Sequence, residues 1–152
     1  MKVKIYLDTS VYNRPFDDQG QTRIRLETEA FLSILEKAIS GAIIIINSSV
    51  LIYENSQNPF AERKERISNY LAIASKVIRL DESIKKKAIS LESLGIEPID
   101  ALHLAYADAG GAEYFLTCDD SIIKKAKKLK NMIKIDVCSP LEFILKEVFK
   151  NA

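Results

Sequence analysis

The 152-residue chain is 47% hydrophobic and 28% charged, and its net charge of +1 gives it no overall attraction to nucleic acid. No apolar run approaches the roughly 20 residues of a membrane helix, the N-terminus lacks the features of a signal peptide, and two cysteines cannot build a disulfide framework. These properties exclude membrane and disulfide-rich secreted proteins, so we expect one cytoplasmic domain, residues 1–152, with both thiols free.

Short apolar runs rich in β-branched residues alternate with longer helical patterns along the first half of the chain. Proline, glycine and aspartate mark the first long loop, and Gly41 ends the first long helix. The predicted elements are strand Lys2–Leu7, loop Asn13–Gln21, helix Thr22–Ser40, strand Ala42–Ile46, short helix Asn47–Asn55, helix Phe60–Ser75 and strand Lys76–Leu80.

Capping residues mark most of the helices in the second half. The predicted elements are a helix capped by Asp81 that runs to Leu94, helix Pro98–Ala109, strand Glu113–Cys118, a lysine-rich helix that starts at Asp119 and Asp120, strand Met132–Val137, and a last helix after Ser139. Five strands separated by helices predict a three-layer α/β/α fold with a central, mostly parallel five-stranded sheet. Ligands of such sheets bind at the carboxyl ends of the strands.

Several acids follow predicted strands directly and are therefore expected at this edge of the sheet. Asp8 follows the first strand, and Asp119 and Asp120 follow the fourth. Each has a structural alternative, because Asp8 could cap a helix that begins near Ser10 and one of the aspartate pair could cap the lysine-rich helix. Two adjacent aspartates are more than one cap requires, which favours a functional role for one of them.

Two further acids lie on helices. Asp100 lies in the first turn of helix Pro98–Ala109, where the helix dipole favours a negative charge. Its neighbours are nearly all apolar, so the helix is predicted to be buried, and a buried acid needs a partner, a metal ion or a proton. Glu54 lies on the short helix after the second strand, where the alternative is an ordinary exposed glutamate.

Taken in order, these acids resemble those of the PIN-domain family of metal-dependent ribonucleases over nearly the whole chain. The resemblance is carried by LDTS at Asp8, SSVLIYE at Glu54, DALHLA at Asp100 and TCDD at Asp119. It implies a PIN-like fold, catalytic roles for these four acids, and RNA as the substrate. Asp120 beside Asp119 leaves the fourth position open, and the family pattern does not require the loop acids Asp17 and Asp18.

Within the family, the chain is most similar to the small single-domain proteins that include VapC-like toxins of toxin–antitoxin pairs. This similarity implies an antitoxin protein encoded nearby as a partner, and domains of this kind often form homodimers. One competing function is a catalytically silent PIN-like module that binds RNA or protein, although a scaffold has no use for carboxylates that repel one another. A phosphatase with Asp8 as nucleophile is disfavoured because position 10 is serine rather than a second aspartate.

Phosphodiester hydrolysis explains why acids would be grouped. A divalent ion neutralises the phosphoryl oxygens and lowers the pKa of the attacking water, and Mg²⁺ or Mn²⁺ prefers carboxylate oxygens to sulfur or imidazole. One histidine and two cysteines do not suit a zinc site. We interpret Asp8, Asp100 and Asp119 as ligands of one or two ions, with Glu54 completing the shell or orienting the nucleophile. Candidate hydroxyls for binding water or phosphate are those of Thr9, Ser10 and Thr117.

Basic residues are concentrated between Ser121 and Lys134, a segment with six lysines and no acid. These lysines predict a phosphate-binding patch, although a solvated helix face is the plain alternative. His103 follows Asp100 by one helical turn and is either packed and hydrogen-bonded within the helix or in contact with the scissile phosphate or a ligating acid. The candidate phosphate-binding lysines are Lys124, Lys125 and Lys128.

Overall fold

The computed structural model describes residues 2–150, including the side chains up to Glu147. Its centre is a five-stranded sheet with the order β3-β2-β1-β4-β5, and every neighbouring pair is parallel. The α/β/α prediction is confirmed, and the described sheet is wholly rather than mostly parallel. The strands are β1 (Val3–Leu7), β2 (Ile43–Ser48), β3 (Lys76–Ile78), β4 (Tyr114–Leu116) and β5 (Asp136–Cys138).

Helices cover the sheet, with α2 packed against α8 and α5 packed against α6. A short 3₁₀ turn, Arg14–Phe16, follows the first helix inside the predicted loop. No helix within residues 2–150 is long and apolar enough to cross a membrane. The helices are α1 (Thr9–Asn13), α2 (Thr22–Ile39), α3 (Ser49–Ser56), α4 (Ala61–Leu71), α5 (Glu82–Ser93), α6 (Pro98–Ala109), α7 (Asp120–Lys128) and α8 (Pro140–Lys150).

Several element boundaries differ from the predicted ones, such as those of α4 and β4, and for β2 and β5 the reason is visible in the hydrogen bonds. The second strand continues to Ser48 because its last two residues pair with β3, and the Ser48 hydroxyl then caps α3 by accepting from the Leu51 amide at 3.2 Å. The predicted strand Met132–Val137 is wrong in its first half. The amides of Met132 and Ile133 both donate to the Leu129 carbonyl at 2.8 Å, so this segment turns tightly and β5 begins only at Asp136.

The strand order creates a crevice at the centre of the sheet. The chain leaves β1 toward β2 and β3 on one side, whereas β4 and β5 lie on the other, so β1 and β4 flank the switch point at which ligands of such sheets bind. The two strands are tied together where they end, because the Asp8 amide donates to the Leu116 carbonyl at 3.1 Å. The rings of Tyr6 and Phe115 stack beneath this edge with centroids 5.5 Å apart.

Gly110 permits the close packing of the end of α6 on the sheet. A Cβ atom there would lie 2.9 Å from Ile46 Cγ2 and 3.2 Å from Ile78 Cγ1, both in side chains held by the packed sheet. We predict that Gly110→Ala lowers the free energy of unfolding by about 1–3 kcal/mol, the usual cost of overpacking a core. Chemical denaturation measures this loss.

The matched control is Gly20→Ala, whose new methyl group would meet only the end of the Asp18 side chain. Both changes reduce the entropy of the unfolded chain by the same amount, so the difference between them isolates packing. Equal stability of the two variants would show that Ile46 moves aside without cost.

Candidate active site

Asp8 lies directly after β1 and is held by hydroxyl groups. Its side chain is 5% exposed, and the Ser10 hydroxyl donates to Oδ1 at 2.5 Å. Asp8 occupies the cap position of α1, but its side chain makes no capping hydrogen bond. Burial raises the pKa of Asp8, and hydrogen bonds from Ser10 and Thr117 act in the opposite direction. The carboxylate is therefore buried for a reason other than helix capping.

Ser10 and Thr117 also join the ends of β1 and β4. The Ser10 hydroxyl accepts a hydrogen bond from the Cys118 amide at 3.0 Å, and Thr117 Oγ1 accepts one from the Asp119 amide at 3.1 Å. The two hydroxyl oxygens lie 3.4 Å apart. Since their hydrogen bonds are made to protein groups, these residues orient the loops that carry Asp8 and Asp119.

Glu54 is a fixed carboxylate rather than an ordinary exposed glutamate of α3. Its Oε1 accepts from the Thr9 hydroxyl at 2.8 Å and lies 2.6 Å from His103 Nε2. Burial raises the pKa of Glu54, but the hydrogen bond and charge of His103, together with the Thr9 hydrogen bond, bring it below the ordinary value. Glu54 is therefore kept ionised.

His103 is both packed and hydrogen-bonded, and it contacts one of the candidate acids. The ring is 3% exposed, and its Nδ1 lies 2.7 Å from the Tyr6 hydroxyl, which in turn lies 2.7 Å from Ser48 Oγ. Burial raises the pKa of Tyr6 well above its ordinary value, so that hydroxyl keeps its proton. We infer that Nε2–H donates to the Glu54 carboxylate, while the Tyr6 hydroxyl joins Nδ1 to Ser48 Oγ.

Tyr6 and Ser48 are site residues that the sequence analysis missed. Alternate residues of a strand point to the same face, so Tyr6 shares a face with Asp8, two positions later. That spacing is the signal by which Tyr6 could have been found. The other half of the contact, with a histidine 97 residues away, depends on packing that no local pattern contains.

Asp100 is the acid on which other negative charges act most clearly. It is half-buried in the first turn of α6. Burial raises its pKa, and the like charges of Asp8 and Asp119 raise it further, while the main opposing influence is His103. Three of the predicted acids are therefore close enough to interact where β1, β4 and α6 meet.

Asp119 and Asp120 have different contacts. Asp119 caps α7 by accepting from the Ser121 amide at 2.9 Å, so the capping alternative applies to it even though its charge also acts on Asp100. Asp120 is held by two hydrogen bonds of 2.8 Å from Arg23. Since Asp120 is already paired with a guanidinium, Asp119 is the better candidate for the fourth acid.

The predicted lysine patch divides between two faces. Lys124 is close enough to lower the pKa of Asp120, although the hydrogen bond from Arg23 is the larger influence, and Lys125 lies 3.8 Å from Glu97 at the start of α6. Lys128 is exposed one helical turn after Lys124. The remaining lysines line a groove that includes Asp136, the first residue of β5, near the opposite edge of the sheet: Lys127, Lys130 and Lys134.

The donor set has the chemistry of a site for a hard cation. Within residues 2–150, no group of three or more histidine, cysteine or acidic side chains is close enough together to hold a metal ion by itself. However, Asp8 and Asp100 both have raised pKa values, which indicates carboxylate charge without full compensation. Mg²⁺ commonly keeps several waters and binds to one or two carboxylates together with substrate oxygens, so an open arrangement of acids suits it better than it suits zinc.

Comparisons with known proteins agree with the fold. A family model described as the PIN domain matches residues 5–128. Among solved structures, the chain is similar to VapBC2 from Rickettsia felis bound to a DNA fragment from their promoter, with a TM-score of 0.58 and 17% sequence identity over 89% of this chain and 97% of that chain. At that identity the likeness shows the fold alone. No curated protein matches the chain.

The charges around Asp100 predict how its replacement affects the metal-free protein. Asp100→Asn removes one of the interacting charges, so we expect a gain in stability at pH 7 of up to about 1 kcal/mol, the scale of partly exposed charge pairs. Because the pKa of Asp100 is raised in the folded protein, its ionised carboxylate destabilises the folded state at neutral pH and its protonated form does not. The stability gained by Asp100→Asn should therefore be complete above the folded-state pKa. It should disappear as the pH falls below about 3.9, the pKa of aspartate in an unfolded chain.

Thermal melting in chelator across this pH range measures the effect. Glu62→Gln is the control, because it removes an exposed acid from the first turn of α4 and should slightly lower stability through the helix dipole. A large loss of stability in Asp100→Asn would instead identify Asp100 as a structural residue of α6.

Proposed function

The chain belongs to the PIN-domain family, whose members are generally nucleases, and we propose that it is a Mg²⁺- or Mn²⁺-dependent endoribonuclease that hydrolyses RNA phosphodiester bonds. One observation carries the proposal: the charges of Asp8 and Asp119 both act on Asp100 and raise its pKa beyond the larger effect of burial. Packing does not require like charges at one place, whereas a divalent cation would compensate them. In this proposal the three aspartates bind the metal directly or through water.

The protein groups have separate roles in this proposal. A bound divalent ion would withdraw charge from the phosphoryl oxygens and lower the pKa of the attacking water. Ser10 and Thr117 orient the Asp8 carboxylate. Thr9 and His103 both donate to Oε1 of Glu54, which leaves Oε2 to accept a hydrogen bond from that water. Glu54 therefore orients the nucleophile and is not needed as a further metal ligand.

The proposal extends to partners and location. The likeness to VapBC2, together with the resemblance of the sequence to VapC-like toxins, supports an antitoxin protein as a partner, a toxin role and a possible second copy in a homodimer. We also propose that residues 1–152 form one cytoplasmic PIN domain. A catalytically silent module that binds RNA or protein is the alternative function.

The nuclease function predicts a metal requirement that depends on the aspartates. We expect cleavage of single-stranded RNA in Mn²⁺ and its loss in chelator. Asp8→Asn and Asp100→Asn should each reduce the cleavage rate by at least about 100-fold, since loss of a residue that only supports a ligand typically costs about 10–100-fold. Gel analysis of end-labelled RNA measures these rates.

Asp120→Asn is the matched control, because it replaces an adjacent aspartate that is paired with Arg23. It should retain most of the cleavage rate. RNA that the unaltered protein binds in Mn²⁺ but leaves intact would refute the nuclease and favour the silent module.

The division of the lysines predicts which of them contact RNA. Combined replacement of Lys124, Lys125 and Lys128 by alanine should reduce the slope of log affinity against log salt by about 0.7 for each phosphate contact that is lost. Replacing Lys127, Lys130 and Lys134 removes the same charge from the other face and should leave the slope nearly unchanged. Fluorescence anisotropy measures both slopes, and equal losses would mean that only overall charge matters.

A further inference from the structure

A cavity of about 300 Å³ adjoins the Glu54 side of the candidate active site. It lies between α1, α3 and α4, and Thr9 and Glu54 belong both to its wall and to the active site. This volume is at the small end of ligand pockets, which span about 300–1,000 Å³. The cavity therefore suits one compact group held next to the reacting phosphate.

An aromatic ring and a guanidinium form one side of this cavity. Phe60 is 59% exposed, although a phenylalanine normally loses most of its surface to packing. The Arg63 guanidinium lies 4.8 Å from the centroid of the Phe60 ring and 5.1 Å from that of Phe16. Exposed aromatic rings and arginine planes are the surfaces on which proteins stack unpaired nucleobases.

We propose that this cavity binds one unpaired nucleobase of the RNA, in the nucleotide next to the scissile phosphate; the proposal rests on the ribonuclease function proposed above. The base stacks on the exposed Phe60 ring, beside the Arg63 guanidinium. A peptide segment would fill an apolar groove, but it has less use for an arginine stacked on an exposed ring. The site thus selects single-stranded RNA.

The experiment couples a change in the protein to a change in the RNA. Asp100→Asn protein, which should not cleave, is titrated with a short single-stranded oligoribonucleotide and with copies that carry an abasic nucleotide at each position in turn. Fluorescence anisotropy gives the affinities before and after the further change Phe60→Ala. Loss of one stacked base should weaken binding by about 5- to 150-fold.

At one position the abasic nucleotide and Phe60→Ala should each cause this loss, and together they should cause little more than either alone. Tyr53→Ala is the control, because Tyr53 is a 63% exposed aromatic residue outside the cavity wall. It should leave the affinity nearly unchanged. If the two changes reduce the RNA affinity independently at every position, so that their effects multiply, the proposal is overturned. Unchanged affinity in Phe60→Ala would also overturn it and would leave the cavity to a protein partner.

If the losses from the abasic nucleotide and from Phe60→Ala are coupled but the unaltered protein does not cleave RNA in Mn²⁺, the nuclease function is refuted and the base site is retained. If the protein cleaves RNA but the two losses are not coupled, the base site alone is refuted.

Discussion

Repulsion among carboxylates at one edge of a parallel sheet is the constraint around which this protein is arranged. β1 and β4 end at the same edge and are joined there by a hydrogen bond between Asp8 and Leu116. Asp8 and Asp119 therefore cannot separate without breaking the sheet, and α6 brings Asp100 to the same place. Burial raises the pKa of Asp100, and the like charges of Asp8 and Asp119 raise it further.

The surrounding residues reduce this cost without removing it. Asp8 and Asp119 have donors that fix their positions, the Ser10 hydroxyl on Asp8 and the Ser121 amide on Asp119. Arg14 and Arg23 are the nearby guanidiniums, but they are used by Glu27 and Asp120. Cations of the protein are thus committed elsewhere, which leaves the aspartates available to a divalent ion if the proposed function is correct.

Much of the architecture could be predicted because local signals determine it. Asp81 and Ser139 cap their helices through amides three residues later, as their sequence context indicates. The signal failed at residues 132–135, where apolar residues that suggest a strand instead cover the core from a turn. A local sequence pattern identifies apolar residues, but it does not show whether another strand lies close enough to pair with them.

The candidate acids were identifiable from the sequence because each adjoins the end of a strand or the start of a helix. Their partners were not, because the contacts that orient them join distant segments. The contact with Arg23 distinguishes Asp120 from Asp119. It joins residues that are 97 positions apart, which no spacing in the sequence predicts. The same applies to the lysines, since only the fold shows that Lys127, Lys130 and Lys134 line a groove with Asp136.

The hydrogen bonds around His103 link the interior of the sheet to Glu54. Nδ1 of the ring is hydrogen-bonded to the Tyr6 hydroxyl, and Nε2 is presented to the Glu54 carboxylate. Leaving one of these buried groups without a partner would cost about 1–3 kcal/mol. Glu54 is consequently held as an acceptor with its second oxygen uncommitted by Thr9 and His103. In the proposed function, Glu54 lies between the aspartates and the cavity lined by Phe60, so it orients a water on one side while a base is held on the other.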